Sequence, residues 1–251
     1  MRLFWYLVCM VYTSASIAQN RIAEYNSVGW YTTAGSIYFT PKWSMLAEYQ
    51  WRRADWGLTW QQSLLRMGIG YQIHDDLNLR VGYAWVETYP YGDIPINSFG
   101  KQFTEHRTHQ SLTTSHRSGS LEWNHRYMLE QRWLATYASA QSSEPDSWTF
   151  VNRFRYMARI QRSLKGKTID DKTPYAAAYN EIFIGFGQNV NQNIFDQNRL
   201  GILLGWRFSK QLRIEGGYFN QLLQLPRRVN NLNVIQHNEG IIVNLLWSVG
   251  Q

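Results

Sequence analysis

Residues 77–86 read Leu-Asn-Leu-Arg-Val-Gly-Tyr-Ala-Trp-Val, and this stretch decides the fold class. Large apolar side chains fill every second position, while Asn78, Arg80, Gly82 and Ala84 fill the positions between them. Successive side chains of a β-strand point to opposite faces of the sheet. The stretch therefore predicts a strand with one apolar face and one polar or small face.

The same alternation recurs along the chain and gives eleven strand candidates. They are residues 28–39, 43–53, 58–73, 77–87, 102–115, 119–137, 148–162, 175–187, 197–208, 211–223 and 233–248. A soluble β-sandwich also alternates, but its strands are shorter and its core does not tolerate Arg and Glu. Apolar faces of about ten residues, with Trp or Tyr near their ends, are typical of tilted strands that cross a bilayer. We therefore predict an all-β fold, a transmembrane antiparallel up-and-down β-barrel with Trp and Tyr facing outward and Arg and Glu facing the lumen.

The pattern leaves two strand counts open. Bacterial single-chain barrels have an even number of strands, which favours about twelve here, with ten as the alternative. Twelve strands would require an additional strand among residues 20–40. Ten would require one candidate to be something else, and the weakest is 102–115, where His106, Thr108 and Gln110 make the outward face polar.

The connections between candidates fall into two length classes. Short turns are predicted at residues 40–42, 74–76, 116–119 and 209–210, and longer links at 88–101, 139–147, 188–195 and 224–232. In outer-membrane barrels the short turns face the periplasm and the long loops face outside. The pattern predicts the same two ends here.

Composition and charge exclude several other classes of protein. Of the 251 residues, 44% are hydrophobic and 16% aromatic, which is too apolar for a disordered chain. The formal net charge is +7, but no block of like charge is longer than two residues, so the runs typical of nucleic-acid binding are missing. The mean hydropathy is negative and no run of eighteen apolar residues exists, which disfavours a helical membrane protein.

The N-terminal segment resembles an export signal. Arg2 precedes an apolar stretch at residues 3–12, and the small residues Ser16 and Ala18 follow it. This arrangement predicts a secretory signal peptide of residues 1–18, cleaved after Ala18, ahead of an outer-membrane β-barrel of residues 19–251. A buried strand or short helix is the alternative. The only cysteine, Cys9, lies in the signal, so the mature chain would form no disulfide and no cysteine metal site.

Charged side chains on the predicted inward faces are the main candidates for a functional site. Arginines outnumber acidic residues there, and we predict a lumen charge network that is a candidate for anion binding. Its members are Glu48, Arg52, Arg126, Glu130, Arg132, Arg153, Arg155, Glu181, Arg199 and Glu215. One interpretation is a packed ladder of Arg–carboxylate pairs that fills a small barrel. The other is an electropositive lumen that binds or passes anions. Neither requires catalytic residues, a metal or a cofactor.

Several motifs resemble a known family. They are His125–Arg132, Asn152–Tyr156, Asn180–Glu181, Phe195–Arg199 and Gly217–Gln221, and together they extend over nearly the whole mature chain. In these motifs the chain resembles the family called domain of unknown function twenty-four-ninety. The resemblance implies an outer-membrane β-barrel and supplies no activity.

Two functional hypotheses follow from these patterns. The first is a small pore or a structural or accessory barrel in the outer membrane of a Gram-negative cell, with small anionic or polar solutes in its lumen. Its expected partners are outer-membrane lipids and, during insertion, the barrel-assembly machinery, with no nucleic acid. The alternative is an outer-membrane lipid hydrolase, because His109 and Ser111 lie two residues apart on one strand face, where imidazole could accept the hydroxyl proton.

Overall fold

The computed structural model describes residues 21–250, and their eleven strands form one closed barrel. Each strand pairs with its neighbour in the chain in an antiparallel manner, as the pairings of β1 with β2 and of β10 with β11 illustrate. The strands are β1 (Arg21–Tyr38), β2 (Trp43–Ala54), β3 (Thr59–His74), β4 (Leu77–Thr88), β5 (Phe103–Ser118), β6 (Leu121–Thr136), β7 (Ser147–Ser163), β8 (Thr173–Phe186), β9 (Phe195–Ser209), β10 (Leu212–Val229) and β11 (Leu232–Val249). The predicted all-β, up-and-down barrel is confirmed. The predicted signal peptide, residues 1–18, lies outside the described residues.

The barrel closes through a parallel pair of strands. β1 and β11 run in the same direction, from the pair Arg21 and Asn233 to the pair Ile37 and Val249. An even number of strands is necessary only when the first and last strands are antiparallel. The parallel seam therefore permits eleven strands, one fewer than twelve and one more than ten. Residues 21–38 form a single strand and contain no additional one.

One predicted connection is wrong. Residues 224–232 were expected to form a long link, but β10 continues through them to Val229. A β-bulge between Gln224 and Arg228 accommodates Pro226, which has no N–H to donate to the neighbouring strand. Asn230 and Asn231 then form a tight turn with φ of 50° and 63°, a conformation that asparagine adopts more readily than most residues.

The connections define two ends of the barrel. The turn end holds residues 39–42, 75–76, 119–120, 164–172 and 210–211, and β11 finishes there. The loop end holds residues 55–58, 89–102, 137–146, 187–194 and 230–231, and β1 begins there. No helix among the described residues is long and apolar enough to cross a membrane.

The outer surface of the barrel is largely apolar. Met67, Ile69 and Val81 lie on its middle and are 42–50% exposed. Exposed tryptophans lie towards both ends: Trp51, Trp60, Trp85 and Trp148 near the loop end, and Trp43 and Trp206 near the turn end.

The inner face combines charged and apolar side chains. An apolar cluster lies mainly on β1 and β8–β11, and consists of Val28, Trp30, Ile169, Tyr175, Ala177, Leu203, Phe219 and Ile242. The expectation that Trp and Tyr face outward is therefore wrong for Trp30 and Tyr175, which are buried inside. Alternation alone does not show which aromatic residues fill the interior.

Candidate functional site

The centre of the interior is an ion-pair network around Glu130. Its carboxylate accepts hydrogen bonds from Arg153 and Arg155, both at 2.7 Å, and only 1% of Glu130 is exposed. Arg155 also donates to Glu181 at 2.8 Å, and Arg153 donates to Asp196 at 2.8 Å. Each of these two arginines therefore joins two carboxylates, and the network follows the inner wall over four consecutive strands, from β6 to β9.

A second part of the network is centred on Glu105. Arg107 donates to both oxygens of this carboxylate, at 2.6 and 2.8 Å, and Arg132 also donates to both, at 2.5 and 3.1 Å. On the other side of the network, Arg126 donates to Glu181 at 2.8 Å. Paired Arg–carboxylate contacts of this kind are strong because both partners are charged and the geometry is fixed.

Two further ion pairs line the interior. Glu48 and Arg66 lie directly opposite each other on β2 and β3, and Arg66 donates to both carboxylate oxygens at 3.0 and 2.9 Å. Glu215 accepts from Arg159 at 3.0 and 2.6 Å and from the hydroxyl of Tyr175 at 2.9 Å. Strand register places Glu48 beside Arg66, since opposite residues on one face are nearest neighbours. Arg159 on β7 instead reaches Glu215 on β10, which is not a neighbouring strand.

The ten residues predicted from the sequence all carry their charges on the inner face. Ion pairs hold each of them except Arg52 and Arg199, so the packed-ladder interpretation describes most of the network. The predicted list omitted five residues that complete the pairs: Arg66, Glu105, Arg107, Arg159 and Asp196. Asp196 departs from the alternation because a β-bulge lies beside it, between Phe183 and Ile184 in the β8–β9 pairing. The sequence signal for an inward Asp196 is the polar run Asp196–Arg199 directly after Phe195, where polar residues no longer alternate with apolar ones.

Arg52 and Arg199 contact aromatic rings instead of forming an ion pair, and Arg199 lies beside Phe183 as well as Trp30. Their guanidinium carbons lie 3.8 and 4.8 Å from the ring centroid of Trp30, and we call Arg52, Arg199 and Trp30 the Trp30 cluster. Arg52 donates to the side-chain oxygens of Gln50 and Gln62. Cation–π contact and amide oxygens stabilise a guanidinium without neutralising its charge.

The Trp30 cluster lines a cavity of about 120 Å³ at the loop end of the interior. Five arginines and two carboxylates line it, a formal surplus of three positive charges: Arg52, Arg107, Arg132, Arg153, Arg199, Glu105 and Asp196. Tyr91 and Val190, from two connections of the loop end, form part of its boundary. The positive surplus is therefore concentrated around this cavity.

Residues 89–102, which we call the inner loop, fold across the loop end to the opposite wall. The hydroxyl of Tyr91 donates to Gln236 at 2.9 Å and accepts from Asn238 at 3.2 Å. The backbone N–H of Ile94 donates to Glu24 at 3.0 Å. Burial raises the pKa of Tyr91 to about 12, so its phenol keeps its proton at neutral pH. The inner loop is thus held in place over the interior by specific hydrogen bonds.

A connection also enters the barrel from the turn end. Residues 164–172 place Ile169 in the apolar cluster, with 7% of Ile169 exposed. Arg207 donates to the backbone oxygen of Ile169 at 2.8 Å. Chain segments therefore reach the interior from both ends of the barrel.

His109 and Ser111 do not form a catalytic pair in the structure. Both side chains lie inside the barrel, 2% and 5% exposed. No hydrogen bond joins them among the described residues, and the Nδ1 atom of His109 has no partner. A lipid in a surrounding bilayer would contact the outer face, on the other side of the wall. Among residues 21–250, no group of three or more His, Cys, Asp or Glu side chains could hold a metal ion.

Comparison with known proteins identifies the family of this barrel. A family model described as "Protein of unknown function (DUF2490)" matches residues 28–233, from β1 into β11. Searches of curated proteins and of solved structures gave no match. The matched segment contains the whole ion-pair network and the Trp30 cluster. The chain therefore belongs to the DUF2490 family of proteins of unknown function.

Proposed function

We propose that this protein is an exported, integral outer-membrane barrel of a Gram-negative cell, and that it acts as a structural or accessory barrel with a closed lumen, not as an open pore. The observation that carries the proposal is the burial of its ion pairs. Glu105, Glu130 and Glu181 are at most 3% exposed, although they face the interior. A lumen that conducts water and ions leaves such groups hydrated.

The outer face supports the membrane part of the proposal. Its apolar middle and its tryptophans near both ends match the lipid-facing band and the aromatic girdles of outer-membrane barrels. In water such a surface would be costly, since extended apolar patches on soluble proteins usually mark an interaction site. Outer-membrane lipids are the partners that this face fits, and insertion would require the barrel-assembly machinery.

The two entering segments support the closed state. The inner loop is hydrogen-bonded to the opposite wall at the loop end, and Ile169 packs inside at the turn end. Between them, Arg153 and Arg155 connect carboxylates on different strands. Small anionic or polar solutes would therefore enter a bounded site and would not pass through.

Location and fold are tested by cell fractionation and gel mobility. We expect the full chain, expressed with its own N-terminal segment, to co-sediment with outer membranes and to migrate differently in SDS gels before and after boiling. Recovery of the folded protein in the periplasm or the medium would contradict the membrane proposal.

The closed lumen is tested in planar lipid bilayers. We expect the refolded wild-type protein to give no steady current over many insertions, in conditions where a general porin conducts. A reproducible anion-selective current, reduced by Arg153→Gln and Arg155→Gln, would contradict the closed barrel and indicate a pore.

A further inference from the structure

We propose that the cavity beneath the inner loop binds a small organic anion, whose carboxylate or phosphate group contacts Arg52 and Arg199 beside Trp30. The proposal rests on the closed-barrel function and deepens it, since it assigns a ligand class to the enclosed interior. It concerns the two arginines lining the cavity that make no ion pair with a carboxylate among the described residues.

The first argument is that neither arginine forms an ion pair with a carboxylate within residues 21–250. Arg52 is only 5% exposed, and its hydrogen bonds go to the amide oxygens of Gln50 and Gln62. Arg199 donates from Nε to Gln197 at 2.9 Å, and its Nη1 and Nη2 atoms have no hydrogen-bond partner within residues 21–250. A buried cation is stabilised when an anion approaches it, because desolvation has already weakened its hydration. An anionic ligand would supply the missing charge.

The second argument is that the two guanidinium groups are held in place. The ring of Trp30 lies within 5 Å of both guanidinium carbons, at 3.8 Å for Arg52 and 4.8 Å for Arg199. A planar guanidinium donates through two parallel N–H groups, which match the two oxygens of a carboxylate or phosphate. Arginines that are already ordered lose little conformational entropy when they bind a ligand.

The third argument concerns the remaining charges of the cavity. Arg107 and Arg132 share Glu105, and Arg153 pairs with Asp196. These contacts occupy the other cations, so the positive surplus is concentrated at Arg52 and Arg199. An incoming anion would meet its strongest donors there.

Size and lining define the rest of the ligand. The cavity volume is about 120 Å³, and apolar side chains contribute to its wall: Phe103, Leu134, Val151 and Leu225. A cavity of roughly 150 Å³ accepts benzene, so the space here fits an anionic group with a short apolar chain. Butyrate has both parts, and butyramide has the same shape without the charge.

The experiment is isothermal titration calorimetry on the full, folded protein in a non-ionic detergent. The probes are butyrate, inorganic phosphate and butyramide. We expect saturable binding of butyrate, of phosphate or of both, and none of butyramide. The relative affinity for butyrate and phosphate identifies which of the two anionic groups the cavity prefers.

Variants assign the site. Arg52→Gln and Arg199→Gln should each weaken binding about tenfold or more, because each removes charge-assisted hydrogen bonds to the ligand. Arg213→Gln is the matched control: it removes the same charge from an exposed position near the turn end, and binding should not change. Arg199 makes a single side-chain hydrogen bond, to Gln197, so its variant is expected to fold even where Arg52→Gln does not.

The proposal is overturned if wild-type protein shows no saturable binding of butyrate or phosphate at millimolar concentrations. Equal binding of butyramide, or unchanged binding by Arg199→Gln, would also overturn it. If neither anion binds, the anion site is wrong, but the bilayer recordings can still show a closed barrel without a steady current. If the wild-type protein conducts a steady current, the closed barrel is wrong, but calorimetry can still show a saturable site. The two failures are therefore distinguishable.

Discussion

At the scale of single residues, the interior depends on carboxylates that serve two arginines each. Glu130 contacts Arg153 and Arg155, and both of these arginines are less than 5% exposed. Removal of one such carboxylate leaves two buried cations undercompensated. The energetic cost therefore lies more in the charges that remain than in the contact that is lost.

We expect Glu130→Gln to lower the free energy of unfolding by about 3–5 kcal/mol, the range observed when one partner of a buried ion pair is removed. Urea unfolding in lipid vesicles, followed by tryptophan fluorescence, measures the change. The control is Glu122→Gln, whose partner Arg117 has a side chain that is 46% exposed, so a change of at most about 1 kcal/mol is expected. Equal losses in the two variants would show that burial does not set the cost.

The sequence predicted which charges face inward, but not how they pair. Alternation assigns both Glu48 and Arg199 to the inner face, because it shows on which face of a strand a side chain lies. It does not show which side chain of another strand lies beside it. Pairing depends on strand register and on bulges, which bring Asp196 to Arg153 and leave Arg199 beside Trp30. The residue that decides the candidate anion site, Trp30, is not among the predicted lumen residues.

At the scale of elements, β5 shows how a strand with a polar outer face is accommodated. The hydroxyl of Thr108 donates to the side-chain oxygen of Gln131 on β6 at 2.7 Å, and Gln110 and Gln131 exchange hydrogen bonds at 3.2 Å. His106 contacts the hydroxyl of Tyr83 at 2.5 Å. The polar groups that made residues 102–115 the weakest candidate therefore satisfy one another. Pairing with neighbours on both sides, which alternation does not describe, makes this segment a regular strand.

We expect Gln131→Ala to destabilise the barrel by about 1–3 kcal/mol in a bilayer, because Thr108 and Gln110 would then face lipid without a partner. Unfolding in vesicles measures the difference. Thr149→Ala is the control, since its partner Thr136 is exposed at the loop end, where water replaces the lost hydrogen bond. An equal effect of the two changes would argue against a lipid environment for β5.

The seam between β1 and β11 depends on a glycine. Gly35 faces the indole of Trp247 on the outer surface, and a Cβ atom at Gly35 would lie 2.1 Å from Cδ2 of that ring. Trp247 also donates from its indole N–H to Thr33 at 3.2 Å. A larger residue at position 35 would displace the ring from the seam.

Gly35→Ala should therefore cost about 1–3 kcal/mol of stability, the usual effect of overpacking. Gly29→Ala, on the same face of β1, should cost less, because its Cβ would meet only the flexible end of Tyr31, at 3.2 Å. Thermal loss of the compact form in SDS gels compares the two variants. A greater loss in Gly29→Ala would exclude this account of the seam.

At the scale of the whole molecule, an odd number of strands separates the two termini of the barrel. β1 begins at the loop end and β11 finishes at the turn end, whereas an even barrel places both at the same end. The eleven strand candidates were all confirmed, yet no local pattern indicates the direction of the closing pair. That direction depends on contacts between residues more than two hundred positions apart, such as Asn26 and Asn238.

Cysteine labelling tests this topology. In a Cys9→Ser background, Arg21→Cys and Ser143→Cys should react with a membrane-impermeant maleimide from one side of the membrane. Lys210→Cys and Val249→Cys should react only from the other. If long loops face outside, the first pair is labelled on intact cells. Labelling of Arg21→Cys together with Lys210→Cys would contradict the parallel seam.

The parallel seam also affects the order in which the barrel is completed. Ten of the eleven pairings join strands that follow each other in the chain, so each can form as soon as its second strand is available. The remaining pairing, of β1 with β11, must wait until the last strand exists, and it closes the longest loop in the molecule at the greatest entropic cost. A chain interrupted before β11 would keep two open edges, each able to pair with another chain.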